Sequence, residues 1–310
     1  MKVLVTCPPM IGAIGVLAGD LATFGLDATT ANVVQVLSED ELIELLPSYD
    51  GWIMGDDPCT RRVLEAGKSG HLKAVVKWGV GVDNVDFEAC HELGVPVTNT
   101  PGMFGREVAE VALGYVICLA RETVLVDRQI RAGAWPKPQG ISLSGKTVVL
   151  VGFGNIGQET ARRLLALNVN VVACDPEFHL PANLDAVRPG EWPRAVKDCD
   201  FIIFSCPLTE QTRHMFNRET LVRLKPGVRV INVSRGAVIE EAALIEGLTK
   251  GIVHSAALDV FEVEPLPLSS PLRQFERCVF GSHNSSNTYE AVLRASRNAI
   301  RQLAEFLESS

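Results

Sequence analysis

The sequence predicts an α/β protein built on parallel sheets, and three observations predict it. Short strand-like runs alternate with helix-like segments along the chain, the pattern of a repeating βαβ unit. A glycine-rich turn at residues 152–157 joins one such strand directly to a helix. A second strand follows that helix and ends in a carboxylate, Asp175.

Taken in order, the chain opens on a strand-like run at residues 2–6, which Cys7-Pro8-Pro9 interrupts with a turn. The interruption, and Asp20 soon after, argue against a secretory leader. Further strands are expected at residues 51–54, 73–78 and 96–99, and helices at 40–46, 61–66 and 87–93. A helix beginning after Pro101-Gly102 runs to about Arg121, with Val108, Ala112, Tyr115, Val116 and Leu119 on one face and little polar surface opposite. Such a helix calls for cover on both sides, from a second domain or a second subunit. A further helical segment over 123–133 stops before Trp135-Pro136. Past the glycine turn, strands are expected at 169–174, 201–205, 228–233, 253–258 and 278–281. The last helix has Asn287 and Glu290 in capping-box spacing and Val292, Ala299, Leu303 and Phe306 along one face.

At 310 residues the chain is long enough for two domains with separate cores. A formal net charge of -8 argues against a nucleic-acid partner, which would need a basic footprint. The longest apolar run, residues 111–120, is about half a membrane span, so no membrane segment is expected. The cysteines (Cys7, Cys59, Cys90, Cys118, Cys174, Cys199, Cys206, Cys278) are scattered with no C-x-x-C pair. That distribution fits packed, reduced thiols in a cytoplasmic protein, with neither a disulfide frame nor a metal site.

The turn itself carries chemistry. Strand 147–151 leads into Gly152, Gly154 and Gly157, the G-x-G-x-x-G spacing of a dinucleotide-binding turn. In that motif the first glycine permits the tight turn, the second lets backbone N–H groups approach a pyrophosphate, and the third lets helix and sheet lie close. The helix from Asn155 directs its free amides and positive dipole end at the same place. Asp175, about twenty residues past the glycines, can accept both ribose hydroxyls. Its charge would repel a 2′-phosphate, which favours NAD over NADP.

Ligands of an open parallel sheet bind at the carboxyl ends of its strands. Those ends supply Gly152, Asp175, Cys206, Ser234, Arg235, Asp259 and His283. Arg235 can clamp a carboxylate with two parallel hydrogen bonds. His283 is the one histidine of six at a strand's carboxyl end, and so the best placed for proton transfer. Glu264, five residues past Asp259, can hold an imidazole and stabilise its charged form. Each of these taken alone has a plainer explanation. A lone arginine after a strand is more often a surface ion-pair partner, a lone histidine in a turn is usually solvated, and Gly79 and Gly81 would pass as turn residues.

Together the motifs resemble the D-2-hydroxyacid dehydrogenase family, in particular its phosphoglycerate-dehydrogenase-like members, over essentially the whole length. The resemblance rests on GVGVDNVD at 79–86, NTPG at 99–102, VAE at 108–110, GFGNIG at 152–157, INVSRGAVIEEAAL at 231–244, ALDVFEVEP at 257–265 and GSHNSSNT at 281–288. It implies an Arg, Glu and His catalytic set, falling on Arg235, Glu264 and His283. It implies NAD contacts at Gly152, Gly154, Asn155, Ile156, Gly157, Asp175, Cys206, Pro207, Thr212, Val233, Ser234 and Asp259, the last as a supporting acid near the nicotinamide. Substrate contacts are implied at Lys77, Val80 and Gly81, together with Arg235 and His283. The implied fold is two doubly wound parallel-sheet domains with a cleft between: a flavodoxin-like substrate domain of residues 1–98 plus 286–310, and a Rossmann NAD-binding domain of residues 99–285. Relatives of this kind are usually homodimers.

The substrate class stays open at this point. Phosphoglycerate readers would place basic residues near the strand ending at Gly55, where this chain has Asp56 and Asp57. With the sequence ending at Ser310, the regulatory domain of larger phosphoglycerate dehydrogenases is not expected. D-3-phosphoglycerate, a glyoxylate- or hydroxypyruvate-type 2-oxo acid and a specialised biosynthetic 2-oxo acid are all compatible. So, remotely, is an NAD-sensing corepressor role, which would require a peptide-docking groove.

Overall fold

The computed structural model describes residues 1–309, which form two compact units. The first comprises Met1–Phe104 and the chain from Ser286 onward; the second is Gly105–Ser285.

In the first unit, β1 (Lys2–Val5), α1 (Pro8–Gly12), α2 (Ile14–Thr23), β2 (Asp27–Thr30), α3 (Glu39–Leu45), β3 (Gly51–Met54), α4 (Arg61–Ser69), β4 (Ala74–Lys77), α5 (Phe87–Glu92) and β5 (Val97–Asn99) follow one another. Their strands make a parallel five-stranded sheet in the order β2-β1-β3-β4-β5, the flavodoxin-like arrangement. Strands β3 and β4 are buried along their whole length, as a sheet covered on both faces demands.

The second unit holds α6 (Gly105–Arg121), α7 (Thr123–Arg131), β6 (Thr147–Val151), α8 (Asn155–Leu165), β7 (Asn170–Cys174), β8 (Arg188–Pro189), β9 (Phe201–Phe204), α9 (Arg218–Leu221), β10 (Val228–Asn232), α10 (Glu241–Thr249), β11 (Val253–Leu258) and β12 (Val279–Phe280). Its parallel seven-stranded sheet runs β12-β11-β10-β9-β6-β7-β8, reversing direction between β6 and β9 as a Rossmann sheet does. Helix α6 buries Val108, Ala109, Ala112, Val116 and Leu119, packing on α8 and on β10 and β11. Finally α11 (Tyr289–Glu308) lies in the first unit on β3 and β4, its Leu303 methyls against Gly51.

Three expectations need correction. The Cys7-Pro8-Pro9 turn is a helix start: Pro8 takes the first helical position, where its missing N–H costs nothing. The cap of the last helix is Thr288, one residue beyond Asn287, and its hydroxyl accepts the Ala291 N–H. Residues 99–104 belong to the first unit because β5 pairs with β4 through Asn99. Further ties are the Thr100 N–H to Gly79 O at 3.1 Å and the Gln302 amide to Asn99 O at 3.2 Å. Among the described residues all cysteines are free thiols, and no helix is long and apolar enough to cross a membrane.

Candidate active site

The glycine turn lies at the reversal point between β6 and β9. Gly152 has φ +94°, and a Cβ there would come within 2.7 Å of the Cys206 backbone nitrogen. Gly157 lies so close to the turn that a Cβ would sit 2.2 Å from Gly152 O. Gly154, by contrast, would present a Cβ to no atom within 4 Å. Two glycines are thus required by the protein's own packing, while the middle one keeps its outer face clear. No side chain caps α8, whose N-cap is Gly154 itself, so its first amides remain directed at an anion site. Asp175 holds this turn in place: it accepts the Phe153 N–H at 2.6 Å and the Glu177 N–H at 2.9 Å. A carboxylate has about four acceptor positions, so capacity remains for ribose hydroxyls. An uncapped helix end, a small residue over it and an acid at the next strand end fit a bound dinucleotide.

The neighbouring strand ends complete this edge. Ser205, after β9, bonds Gly152 O at 3.0 Å. Burial pushes the adjacent Cys206 thiol up to about 12. The following loop is folded on Thr212, whose hydroxyl donates to Pro207 O at 2.7 Å and accepts the Thr209 N–H at 2.8 Å. After β10, the Val233 N–H reaches Phe204 O and Ser234 is almost buried. Asn155 packs its amide against Gly105, at the start of α6.

The predicted catalytic residues stand on three turns of the same unit. Arg235 follows β10 and is held from behind by buried Asn232, whose side chain donates to Arg235 O at 2.8 Å and accepts from Ser234 Oγ at 2.8 Å. Glu264 receives the Phe261 N–H on one carboxylate oxygen at 2.9 Å, and its other oxygen lies 2.8 Å from His283 Nδ1. Both side chains are 21% exposed, so the pair is sheltered yet open to a ligand. A neutral imidazole that donates its Nδ1–H to this carboxylate has Nε2 as its acceptor nitrogen. His283 takes a left-handed backbone, φ 57°, fixed by its N–H to Asp259 O at 2.6 Å. The buried Asp259 carboxylate accepts the Asn284 and Ser285 N–H groups at 3.1 and 2.9 Å and the Ser285 hydroxyl. In this structure Asp259 is therefore the knot that ties down the histidine loop. Tyr115 joins it from α6, its phenol held un-ionised first by burial and then by the Asp259 charge.

In the first unit, the expected substrate residues follow β4. Lys77 is 2% exposed, and its ammonium lies 2.8 Å from Asp56 Oδ1. The loop beyond is pinned by the Gly79 N–H to Thr100 Oγ1 at 2.9 Å and by the Asn99 amide to Val80 O at 2.8 Å. Val80 is 43% exposed and Gly81 is half-buried.

The sequence reading missed Asn232, Tyr115 and Ser285, and Gly236, where a Cβ would fall 1.9 Å from the Phe261 carbonyl. The available signal was slight: an amide inside the apolar run VRVIN, where a buried polar group needs partners, and a glycine directly after the arginine.

A parallel sheet with an uncapped helix at its glycine turn, plus a carboxylate–imidazole pair and a guanidinium at neighbouring strand ends, defines the nicotinamide-dependent dehydrogenase class. The sequence pattern of the "D-isomer specific 2-hydroxyacid dehydrogenase, NAD binding domain" matches residues 113–285. A hydroxypyruvate reductase of Thermotoga maritima is 38% identical over 275 residues, covering 86% of this chain and 88% of that protein. D-3-phosphoglycerate dehydrogenase 2 of Arabidopsis thaliana is 40% identical over 261 residues; the match covers 82% of this chain but 41% of that longer protein. The crystal structure of the TT0316 protein of Thermus thermophilus superposes with a TM-score of 0.87 at 31% identity, covering 100% of this chain and 97% of that one. The chain belongs to the D-2-hydroxyacid dehydrogenase family, and is an oxidoreductase with an NAD-binding domain acting on small hydroxy or oxo acids.

Proposed function

We propose that the chain reduces a small, unphosphorylated 2-oxo acid of the glyoxylate or hydroxypyruvate type, and oxidises the corresponding D-2-hydroxy acid in reverse. The observation that carries the choice is the Lys77–Asp56 pair. Among the described residues of the first unit the one buried cation, Lys77, is engaged by the Asp56 carboxylate at 2.8 Å, and Asp57, next to Asp56 in the chain, is buried. A phosphate dianion would have to displace Asp56 from Lys77 and would meet acids. The Thermotoga hydroxypyruvate reductase, which this chain spans almost end to end, supports the same choice.

In this mechanism the glycine turn, Asp175 and the contacts expected at Asn155, Ile156, Cys206, Pro207, Thr212, Val233, Ser234 and Asp259 would hold the nicotinamide cofactor, which would give hydride to C2 of the oxo acid as NADH and take it back from the hydroxy acid as NAD. Arg235 holds the substrate carboxylate in a two-pronged clamp. In the first unit, the Val80 and Gly81 backbone and Lys77 are the further substrate contacts of this reading. His283 takes the hydroxyl proton at Nε2 during oxidation and returns it during reduction. Glu264 keeps the ring turned and balances its positive charge. Exposed Ile117, Ile130 and Trp135 on and after α6 and α7 support a homodimer, and the free thiols support a cytoplasmic location.

NADH consumption against glyoxylate, hydroxypyruvate, pyruvate and 3-phosphohydroxypyruvate tests the assignment. An unphosphorylated acid should lead by at least about tenfold in kcat/KM, equivalent to about 1.4 kcal/mol. A lead for 3-phosphohydroxypyruvate would overturn it.

A further inference from the structure

Beyond Arg235, Glu264 and His283, the second unit carries acids that this mechanism does not use. Glu241, at the start of α10, and Glu262, in the turn after β11, are bonded to each other twice. The Glu262 N–H reaches Glu241 Oε1 at 2.8 Å, and the Glu241 N–H reaches Glu262 Oε1 at 3.3 Å. The same Glu262 oxygen lies 2.9 Å from His214 Nε2. His214 belongs to a segment stitched to the Arg235 turn by the His214 N–H to Ala237 O at 2.8 Å and the Glu240 N–H to Phe216 O at 2.9 Å.

Between these acids the two turns touch backbone to backbone. A Cβ on Gly236 would fall 1.9 Å from the Phe261 carbonyl and 2.4 Å from the Glu262 nitrogen. The residue after Arg235 therefore rests on the turn that presents Glu264. That turn closes through the Phe261 N–H to Glu264, whose second oxygen orients His283.

We propose that Glu241 and Glu262 form a reciprocal brace, latched by His214, that positions Glu264, and through it the His283 ring, against the Arg235 turn. These are positioning residues, acting through backbone amides and through Glu264. The arrangement also explains why carboxylates are tolerated so close together. Each accepts an N–H from the other's turn, and Glu262 additionally faces His214. Glu241 is held toward its neutral form by burial, reinforced by the charges of Glu262 and Glu264.

The inference rests on the catalytic assignment above, and its test separates the two. Glu262→Ala, Glu262→Gln, Glu241→Ala, the double Ala variant and His283→Ala are assayed with the best oxo acid of the panel, alongside NADH binding by fluorescence. Glu262→Ala should lower kcat about 10- to 100-fold, the scale set by a misplaced catalytic group, with NADH affinity within about twofold of wild type. Glu262→Gln, whose amide oxygen still accepts the Glu241 N–H, should recover most of that loss. The double variant should be no worse than Glu262→Ala, because the two residues form one unit. Should Glu262→Ala not accumulate as folded protein, Glu241→Ala carries the same expectation. Wild-type kcat in the Ala variants, no recovery in Glu262→Gln, or losses that multiply would overturn the brace. Wild-type turnover in His283→Ala would instead overturn the catalytic assignment.

Discussion

At the reversal point between β6 and β9 the chain turns on glycine, and a side chain on Gly154 would meet no atom within 4 Å. At the corresponding point between β1 and β3 in the first unit, Asp57 bonds the residues that follow the two strands. Asp57 is fully buried, accepting Thr6 Oγ1 at 2.5 Å, the Leu37 N–H at 2.8 Å and the Gly55 N–H at 3.0 Å. Both sheets are parallel and both reverse their order, so both have the crevice where ligands of such sheets bind. One presents free helix amides and a glycine there; the other places a carboxylate whose acceptors serve its own loops. The nearest cation obeys the same logic, since Lys77 faces Asp56. A shared topology therefore does not distribute chemistry equally, and the partners of each strand-end charge tell the two edges apart.

The comparison breaks first at the catalytic edge. Arg235→Lys should lower kcat/KM about 10- to 100-fold through KM, because a point charge keeps attraction but loses the paired geometry. A normal KM would contradict the clamp. At the Asp57 edge the cost should appear in stability. Asp57→Ala strands the Thr6, Leu37 and Gly55 donors and should destabilise the protein by about 3 kcal/mol, read by urea denaturation. An unchanged midpoint would mean that the carboxylate is dispensable there.

The glycine turn sharpens the contrast within one motif. Gly157→Ala should lower stability by about 1–3 kcal/mol because of its contact with Gly152 O. Gly154→Ala should leave stability within about 0.5 kcal/mol and weaken NADH binding, measured by fluorescence titration. Equal destabilisation by both would remove the distinction between packing and binding glycines. The smallest effect is expected at Cys206. A thiol pushed up to about 12 stays protonated at neutral pH, so iodoacetamide should leave it unmodified in the folded protein by mass spectrometry. Rapid labelling would show that the edge is more open than its burial implies.

Much of this was legible in the residues because it depends on local spacing. The strand, glycines, helix and Asp175 follow one another within a single βαβ unit, and Arg235 and His283 follow apolar runs that end abruptly. What spacing could not carry was partnership across the sheet. Asp259 behind the histidine loop and Gly236 against Phe261 join residues distant in sequence, and only the folded backbone makes them neighbours. The first unit hid α1, α2 and β2 for a different reason. Glycines at 12, 15 and 19 dilute the helical pattern, and DATT is a mostly exposed edge strand with little apolar alternation to betray it.

The central claim is that the second unit both binds the dinucleotide and supplies the proton, through separate residues. Single-turnover mixing of the enzyme–NADH complex with a saturating oxo acid, for wild type and His283→Ala, tests it most directly. NADH should bind both proteins equally, while its oxidation should slow about 10²- to 10⁴-fold in the variant. Loss of NADH affinity in His283→Ala, or oxidation at the wild-type rate, would contradict it.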